Sequence, residues 1–409
     1  MGISDFYHYL TGIYNDIRSR MYLKRISSHH DSSRPIRVGF IVQMYEVWSK
    51  SEPVYRIMKS DKRFETTLLV VPPFDSVTGT VLTSYSENDP FLTGYTDAIK
   101  AYDNGSWIDI SDMFDYLFYT RPYDHYLPEI YRTGNMIKFT RCCYISYGYE
   151  LSNIFFDVEY AKQFIRNLFF VFPCNNDVSK KLNTVYNDTL HHVDFLGYPA
   201  FECYFNRNVQ NNDSGSIRIL WTPRWSYDEK IGGSRFFEYK DTILSLADQL
   251  NISVTFRPHP LLFNELVIKG MMTEDEIDSY LQNLDKHGIK YDHGTDLAEA
   301  LINTDVLISD FSSIVIEFLL TGKPVIYCEA GMLLNDHAQI ISEGFYKAYN
   351  EEDVIRYVKM LVSGDDPLKD KREKIISEHL SIHNGSSKRI AERIAEDWYG
   401  RVEGRDNEK

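Results

Sequence analysis

The feature that most constrains the fold of this chain is residues 305–329, which read DVLISDFSSIVIEFLLTGKPVIYCE. Positions 306–308 form a short apolar run of the kind found in strands buried within parallel sheets. An apolar helix is predicted over 314–321, Gly322 ends it, and 325–328 predicts the next strand. Strand, helix and strand in this order predict a parallel sheet with helices packed on its faces.

Polar residues fill the gap between the first of these strands and the helix. Asp310, Ser312 and Ser313 supply N-cap chemistry, and the positive end of the helix dipole points in the same direction. A helix start that carries free hydroxyl and amide N–H groups is an anion site. Glu317, four residues after Ser313, faces the same side and could reach a ribose hydroxyl. An ordinary strand, turn and helix with a good cap explains the same residues, so the local sequence leaves both interpretations open.

Three further polar motifs precede this stretch, each at the end of a predicted strand or segment. They are Gly-Tyr-Pro at 197–199, Thr-Pro-Arg-Trp at 222–225 and Arg-Pro-His-Pro at 257–260. Together with the Asp-Phe-Ser-Ser turn, and in this order, they resemble the motifs of the CDP-glycerol glycerophosphotransferases of teichoic acid and capsule synthesis. The resemblance is strongest over residues 195–329. No single motif is specific, whereas their order and spacing are.

The resemblance implies that Arg257 and His259 contact the donor phosphates. It also implies that the polar residues of the Asp-Phe-Ser-Ser turn line the CDP pocket. Prolines on both sides of His259 restrain its backbone, and a rigidly held side chain suits the stabilisation of charge in a transition state. Arg224 ends a predicted strand at the same edge, where it either binds phosphate or stacks on Trp225.

Alternating strands and helices extend over most of the chain and predict two domains. Predicted strands lie at 37–43, 66–71, 116–119, 142–146, 168–172, 217–221, 252–256 and 289–292. The fold prediction is α/β of the GT-B plan, with two Rossmann-like doubly wound domains facing each other across a cleft. The predicted domains are 31–204, for the acceptor, and 217–385, for the nucleotide donor. An amphipathic helix at 1–30 precedes them, the polar segment 205–216 links them, and a helix at 386–409 packs back on the N-terminal domain.

By this resemblance the chain is a transferase that moves a glycerol-phosphate, or a similar polyol-phosphate, unit from a CDP-activated donor. The acceptor is expected to be lipid-linked or a polysaccharide. One alternative is a GT-B glycosyltransferase that uses a nucleotide sugar, because the same positive turns would serve either donor. Another is a nucleotide-binding subunit that has lost its catalytic base.

The catalytic base is the point at which the sequence departs from the family pattern. The family carries an HGTPL-like turn whose histidine is thought to be the base, and the matching place here begins at Tyr147. Tyrosine is a poor base near neutral pH. Glu150 and His125 are the candidates that lie close by in sequence, although a lone histidine in a loop is often a solvated bystander.

Composition excludes several classes of protein. No run approaches ~20 apolar residues, so no membrane span is predicted, and the first residues lack the plan of a signal peptide. Five cysteines without paired or metal-ligand spacing fit a reducing cytoplasm. A net charge of −15 argues against nucleic-acid binding. No metal or other cofactor is expected. The 1–30 helix, with its basic end, either rests on the anionic inner membrane leaflet or packs on the protein's own domain.

Overall fold

The computed structural model describes residues 31–86, 89–186, 192–205, 215–228, 232–294 and 297–403, together with single positions between 14 and 26. The chain divides into two compact units. The first unit contains Met1–Glu150, Phe155–Glu202 and Ile382–Lys409, and the second contains Leu151–Ile154 and Cys203–Ser381. The predicted 1–30 helix and the 205–216 linker lie almost entirely outside the described residues.

The first unit is built on a seven-stranded parallel sheet. Its strands are β1 (Ile36–Val42), β2 (Phe64–Val70), β3 (Ile99–Lys100), β4 (Tyr116–Tyr119), β5 (Arg141–Ile145), β6 (Leu168–Phe172) and β7 (His192–Val193). They are arranged in the order β7-β6-β5-β4-β1-β2-β3, and all neighbours run parallel. Two short antiparallel hairpins occur in the sequence between strands of this sheet. They pair Phe74–Asp75 with Thr80–Val81 and Tyr102–Asp103 with Ser106–Trp107.

The second unit contains a six-stranded parallel sheet. Its strands are β8 (Ile217–Thr222), β9 (Ile252–Phe256), β10 (Lys290–Tyr291), β11 (Val306–Ser309), β12 (Val325–Cys328) and β13 (Tyr346–Ala348). They are arranged in the order β10-β9-β8-β11-β12-β13, which is the doubly wound order of a Rossmann fold. The α/β fold with parallel, doubly wound sheets that the sequence predicts is therefore confirmed.

Helices connect the strands within each unit. In the first unit they are α1 (Glu52–Ser60), α2 (Pro90–Gly94), α3 (Thr133–Met136), α4 (Phe156–Glu159), α5 (Lys162–Ile165), α6 (Asn176–Val185) and α7 (Glu202–Phe205, which begins at the unit boundary). In the second unit they are α8 (Phe236–Gln249), α9 (Leu262–Ile268), α10 (Glu274–Lys286), α11 (Leu297–Ile302), α12 (Ile314–Leu319), α13 (Asp336–Ser342), α14 (Glu351–Val362) and α15 (Lys369–Ile375). The last helix, α16 (Ser386–Glu403), returns to the first unit. Among the described residues, no helix is long and apolar enough to cross a membrane.

Aromatic side chains account for much of the first unit's core. Phe40, Phe118 and Phe172 come from β1, β4 and β6 and stack in nearly parallel planes, with ring centroids 4.8 and 6.2 Å apart. Stacked rings of this kind contribute more than their buried area alone. These three aromatic side chains therefore serve packing in this unit.

The C-terminal helix α16 is fixed to the first unit by charged contacts and by one buried ring. Glu392 accepts two hydrogen bonds from the guanidinium of Arg63, at 2.7 and 2.8 Å. Asp397 accepts one from Tyr116 Oη at 2.5 Å, and Trp398 is 1% exposed. Among the described positions near the N-terminus, Arg18 Nη2 donates to the Gly134 carbonyl at 3.0 Å.

Gly197, in the Gly-Tyr-Pro motif, contacts the segment at which the chain returns to the first unit. Its φ of +92° is one that L side chains rarely adopt, and a Cβ built on it would lie 2.5 Å from the Ile382 carbonyl oxygen. The next residue, Tyr198, donates its backbone N–H to His383 Nδ1 at 2.8 Å. Glycine is required here by conformation and by a backbone neighbour from a distant part of the sequence. The motif thus holds together two segments of the first unit that are distant in sequence.

Gly197→Ala is expected to destabilise the protein by more than ~2 kcal/mol, because the strained φ and the contact with a backbone oxygen act together. The thermal unfolding temperature measures this. Gly105→Ala is the matched control, because Gly105 belongs to the same unit and has a φ of +82° with nothing within 4 Å of its added Cβ. Equal losses in the two variants would show that the contact with Ile382 contributes nothing.

Candidate active site

The predicted donor residues gather at the carboxyl edge of the second sheet. The strand order reverses between β8 and β11, and such a switch point is where doubly wound sheets bind their ligands. The turns after β8, β9 and β11 carry Arg224, His259 and Asp310 respectively. Because these three strands are adjacent and parallel, the structure brings the three turns together.

Asp310 holds two of the surrounding loops in place. Its side chain is 2% exposed and accepts the backbone N–H of Arg224 at 2.8 Å and that of Arg235 at 3.0 Å. Burial raises the pKa of Asp310 to about 7, while the two amides and the charge of Arg224 act in the opposite direction. Each carboxylate oxygen faces a backbone donor, so the geometry fits the ionised form. Asp310 therefore shapes the site by positioning backbone.

Arg224 is a buried cation beside this carboxylate. It is 8% exposed, its Nη1 donates to the Phe311 carbonyl at 2.9 Å, and its guanidinium carbon lies 4.9 Å from the centre of the Phe311 ring. Burial lowers the pKa of Arg224, yet an arginine remains charged in proteins. The ring of Phe311 and a backbone carbonyl thus fix a positive charge at the switch point.

His259 is held as a neutral hydrogen-bond donor. Its backbone N–H donates to the Pro223 carbonyl at 3.0 Å, and its Nδ1 accepts the N–H of Leu261 at 3.2 Å. Because Nδ1 accepts, the ring proton is placed on Nε2. Desolvation and then the charge of Arg224 lower the pKa of His259 to about 4, although the residue is exposed at its outer edge. A lowered pKa and the acceptor role of Nδ1 agree on a neutral imidazole near pH 7.

Arg257 is engaged at the neighbouring strand end. Its Nη1 lies 2.7 Å from Asp292 Oδ2, and its Nη2 donates to the Gly294 carbonyl at 2.6 Å. Burial would raise the pKa of Asp292, but the Gly294 amide and Arg257 outweigh it and lower that pKa. Arg257 therefore ties the turn after β9 to the turn after β10. Its predicted contact with donor phosphate stays a prediction.

The residues at the start of α12 differ in exposure. Ser312 and Ser313 are partly exposed, and within the described part of the chain the Ser313 hydroxyl makes no capping hydrogen bond. Ser312 Oγ accepts the N–H of Ile314 at 3.4 Å, which is long. Both hydroxyls are thus partly accessible to solvent at the start of α12. Glu317 is 5% exposed and accepts the hydroxyl of Tyr204 at 2.8 Å, so its carboxylate points into the protein.

The candidate bases lie in the first unit. Two carboxyl groups of this unit, those of Glu150 and Glu159, are buried next to each other. Glu150 is 6% exposed and Glu159 is 4% exposed, and Tyr144 Oη donates to Glu159 at 2.8 Å. Burial raises the pKa of both carboxyls, and the like charge of Glu159 adds to the effect on Glu150. Glu150 therefore keeps a proton near neutral pH and donates it in a hydrogen bond to Glu159. In this state it has little capacity to accept another proton.

His125 and Tyr147 lie in exposed or partly exposed loops of the same unit. His125 is exposed and packs against Tyr126, with ring centroids 4.2 Å apart. Tyr147 places its hydroxyl 3.2 Å from that of Tyr123, and burial raises the pKa of Tyr147 far above its ordinary value. Tyr147 is therefore a neutral phenol rather than a base.

Sequence reasoning missed the partners that hold these residues. Asp292 was recognisable, because it is the last residue of the predicted strand 289–292 and leads into a His-Gly turn. Glu159 carried no signal, since nothing in its neighbourhood marks it as the partner of Glu150. Phe311 lies within the Asp-Phe-Ser-Ser motif, but its contact with Arg224 joins residues from two separate strand ends.

Comparisons with known proteins identify the class. The chain resembles a solved UDP-GlcNAc 2-epimerase from Neisseria meningitidis bound to UDP-GlcNAc, with 12% identity and a TM-score of 0.59 over 88% of this chain and 100% of that one. It also resembles the wall teichoic acid polymerase TagF in a variant soaked with CDPG, with 13% identity and a TM-score of 0.56 over 98% and 100%. No curated protein matches by sequence. The fold is that of the GT-B enzymes, with two Rossmann-like domains.

The family follows from a match within the sequence itself. Residues 174–396 match the model of CDP-glycerol:poly(glycerophosphate) glycerophosphotransferases, a range that contains all of β8 to β13 and every turn of the site in the second unit. The chain belongs to this family and is a transferase of glycerol phosphate from a CDP-activated donor. The predicted family, fold and enzyme class are confirmed.

Glu150→Gln is expected to gain stability relative to the wild type as the pH rises from 5 to 8. The pKa of Glu150 is raised in the folded protein, so the wild type loses stability as the pH rises above the unfolded value of about 4.5. Glutamine keeps its donor at every pH. Unfolding temperatures measured in parallel, with exposed Glu129→Gln as control, test this.

Parallel pH profiles of wild type and Glu150→Gln would contradict a shared proton. The same variant also tests the catalytic assignment. Transfer activity that survives in Glu150→Gln would exclude Glu150 as the general base, because an amide cannot take the proton of the acceptor hydroxyl.

Proposed function

We propose that this enzyme binds CDP-glycerol at the switch point of its second sheet and transfers glycerol phosphate to a lipid-linked or polysaccharide acceptor in the synthesis of a wall or capsule polymer. The observation that carries this is the meeting of Arg224, His259 and the serine hydroxyls before α12 at one sheet edge, within the residues that match the family. The likeness to TagF soaked with CDPG supports the choice of donor.

The reaction requires charge stabilisation more than covalent help. A hydroxyl oxygen of the acceptor attacks the phosphorus that carries glycerol, and the bond from this phosphorus to the bridging oxygen breaks. CMP leaves with that oxygen, and the hydroxyl proton passes to a base. Negative charge therefore accumulates on the bridging oxygen and on the phosphate of CMP.

In the second unit, fixed groups can meet this charge. Arg224 supplies a cation that cannot deprotonate, and His259 supplies an Nε2–H whose direction is set by the contact of Nδ1 with Leu261. Ser312 and Ser313 add hydroxyl donors. Groups already held in place pay no reorganisation cost as the charge develops, which is why such donors contribute strongly to rate. No metal ion or other cofactor enters this proposal.

For the base we propose His125. It is the exposed one of the two candidates, whereas Glu150 is buried and protonated. An exposed imidazole can accept the hydroxyl proton and release it to water. His125→Ala, compared with Glu150→Gln, separates the two assignments: loss of transfer in the first variant alone supports His125, and loss in the second alone supports Glu150.

His259→Ala is expected to reduce turnover ~100-fold or more, the usual cost of removing one preorganised donor. The assay measures CMP released from CDP-glycerol. His287→Ala is the control, since that histidine pairs with Asp248 away from the predicted motifs. Because the pKa of His259 is lowered to about 4, the ratio of wild-type to variant rates should stay constant from pH 5 to pH 8.

The alternative glycosyltransferase activity gives a different product. Incubation with UDP-sugars would then release a nucleoside diphosphate, whereas CDP-glycerol would release no CMP. That result, or a nearly normal rate in His259→Ala, would remove the proposed mechanism.

A lipid-linked acceptor would bring the enzyme to the inner membrane leaflet. For such an acceptor, we propose that the basic residues at the end of segment 1–30 contact this leaflet. Co-sedimentation with phosphatidylglycerol vesicles tests this. Binding that requires residues 1–30 supports the contact, and equal recovery of the full and shortened chains in the supernatant removes it.

A further inference from the structure

The first sheet has a switch point of its own. Its order, β7-β6-β5-β4-β1-β2-β3, reverses between β1 and β4, so ligands are expected beyond the carboxyl ends of these two strands. Gln43 follows β1, Arg121 follows β4 and Tyr147 follows β5. A depression at this edge is lined in part by Gln43, Thr120, Arg121 and Tyr123. Nothing in the donor chemistry described above uses it.

Arg121 lies beside aromatic rings, and the exposed Glu46 is the carboxylate that adds a weaker attraction to its charge. Its guanidinium carbon lies 5.6 Å from the centre of the Tyr123 ring and 5.5 Å from that of Tyr126. Its one hydrogen bond to a side chain among the described residues runs from Nη1 to Gln43 Oε1 at 3.5 Å, which is at the limit for such a bond. The residue is partly buried, and burial lowers its pKa.

Several other arginines of this unit have carboxylate partners, whereas Arg132 and Arg389 donate to carbonyls. Arg34 and Arg37 share Asp115, Arg63 binds Asp61 and Glu392, and Arg393 binds Asp194. Within the described part of the chain, no carboxylate oxygen lies within 4.0 Å of the Arg121 guanidinium. A desolvated cation without a counter-ion is costly. Rings attract the charge across their faces but do not accept the in-plane N–H groups, of which a guanidinium has five.

Two hydroxyl groups complete the surroundings. Tyr123 Oη and Tyr147 Oη are hydrogen-bonded to each other at 3.2 Å, so one of the two hydroxyl hydrogens is left to donate to a ligand oxygen. Burial raises the pKa of each phenol, so both keep their protons near neutral pH. A planar guanidinium beside paired hydroxyls matches the several oxygens of a phosphate better than it matches a single carbonyl.

We propose that Arg121, with the hydroxyls of Tyr123 and Tyr147, binds a phosphate group of the acceptor's polyol-phosphate end. This inference rests on the proposed function, because transfer of glycerol phosphate produces an acceptor end that carries phosphodiesters. The chain has a net charge of −15, so a polyanionic acceptor needs a local cation to be held. Arg121 is that cation, and the aromatic rings beside it can cover the carbon atoms of the polyol.

Binding of sn-glycerol 3-phosphate to the full chain in saturating CDP tests the proposal, because CDP occupies the donor site and leaves the acceptor subsite as the place to measure. Calorimetry or ligand-observed NMR gives the dissociation constant. Arg121→Gln is expected to weaken binding at least ~10-fold, the loss of one charge-assisted contact. Arg121→Lys keeps the charge but not the planar guanidinium. Its affinity should therefore lie between those of the wild type and Arg121→Gln. Exposed Arg56→Gln should bind like the wild type, because Arg56 is paired with Glu52 on the surface.

Unchanged binding in Arg121→Gln would overturn the proposal, whether or not the unfolding temperature falls. A fall in unfolding temperature with unchanged binding would assign Arg121 to packing between its tyrosine rings. The transfer assay provides a second readout: the KM for the acceptor should rise while the dissociation constant for CDP stays the same. A wild type that binds glycerol 3-phosphate but releases no CMP from CDP-glycerol would contradict the proposed function and leave this subsite in place.

Discussion

The site in the second unit depends on one buried carboxylate, that of Asp310. By accepting the backbone N–H groups of Arg224 and Arg235, it fixes the turn after β8 and the start of α8 relative to the end of β11. Each of these bonds involves a charged acceptor away from water, and loss of such a partner leaves a buried donor unsatisfied at a cost of ~1–3 kcal/mol. Without Asp310 the three strand ends would still be adjacent, but the backbone of the turn after β8 and of the start of α8 would lose these two hydrogen bonds.

The polar residues at this edge therefore form two groups: some hold the turns in place, and others face outward. Asp310 and Arg257 are occupied by other protein groups, the latter by Asp292 and Gly294. Among the described residues, His259 Nε2 and the hydroxyls of the two serines before α12 donate to no protein atom. The motif residues that hold the turns therefore position the side chains that we propose to meet the donor.

The sequence was sufficient to predict the α/β class and the doubly wound plan, because alternating apolar runs, prolines and glycines mark most strands and turns locally. The edge on which the donor residues lie also followed from strand ends alone. Long-range partners could not be predicted in this way. Gly197 meets Ile382, nearly half the chain away, so its motif could be recognised but not explained. Likewise Glu150, a candidate base by sequence, is a buried acid because it is paired with Glu159. Only the packing of the fold shows this pairing.

The central claim is that the switch point of the second sheet binds the diphosphate of a CDP-activated donor. A crystal structure of the enzyme with CDP tests it most directly. The expected result places phosphate oxygens within hydrogen-bond distance of His259 Nε2 and of the hydroxyls of Ser312 and Ser313, with Arg224 still stacked on Phe311. A nucleotide bound with its phosphates at another edge of the protein, and this edge filled only by solvent, would contradict the account.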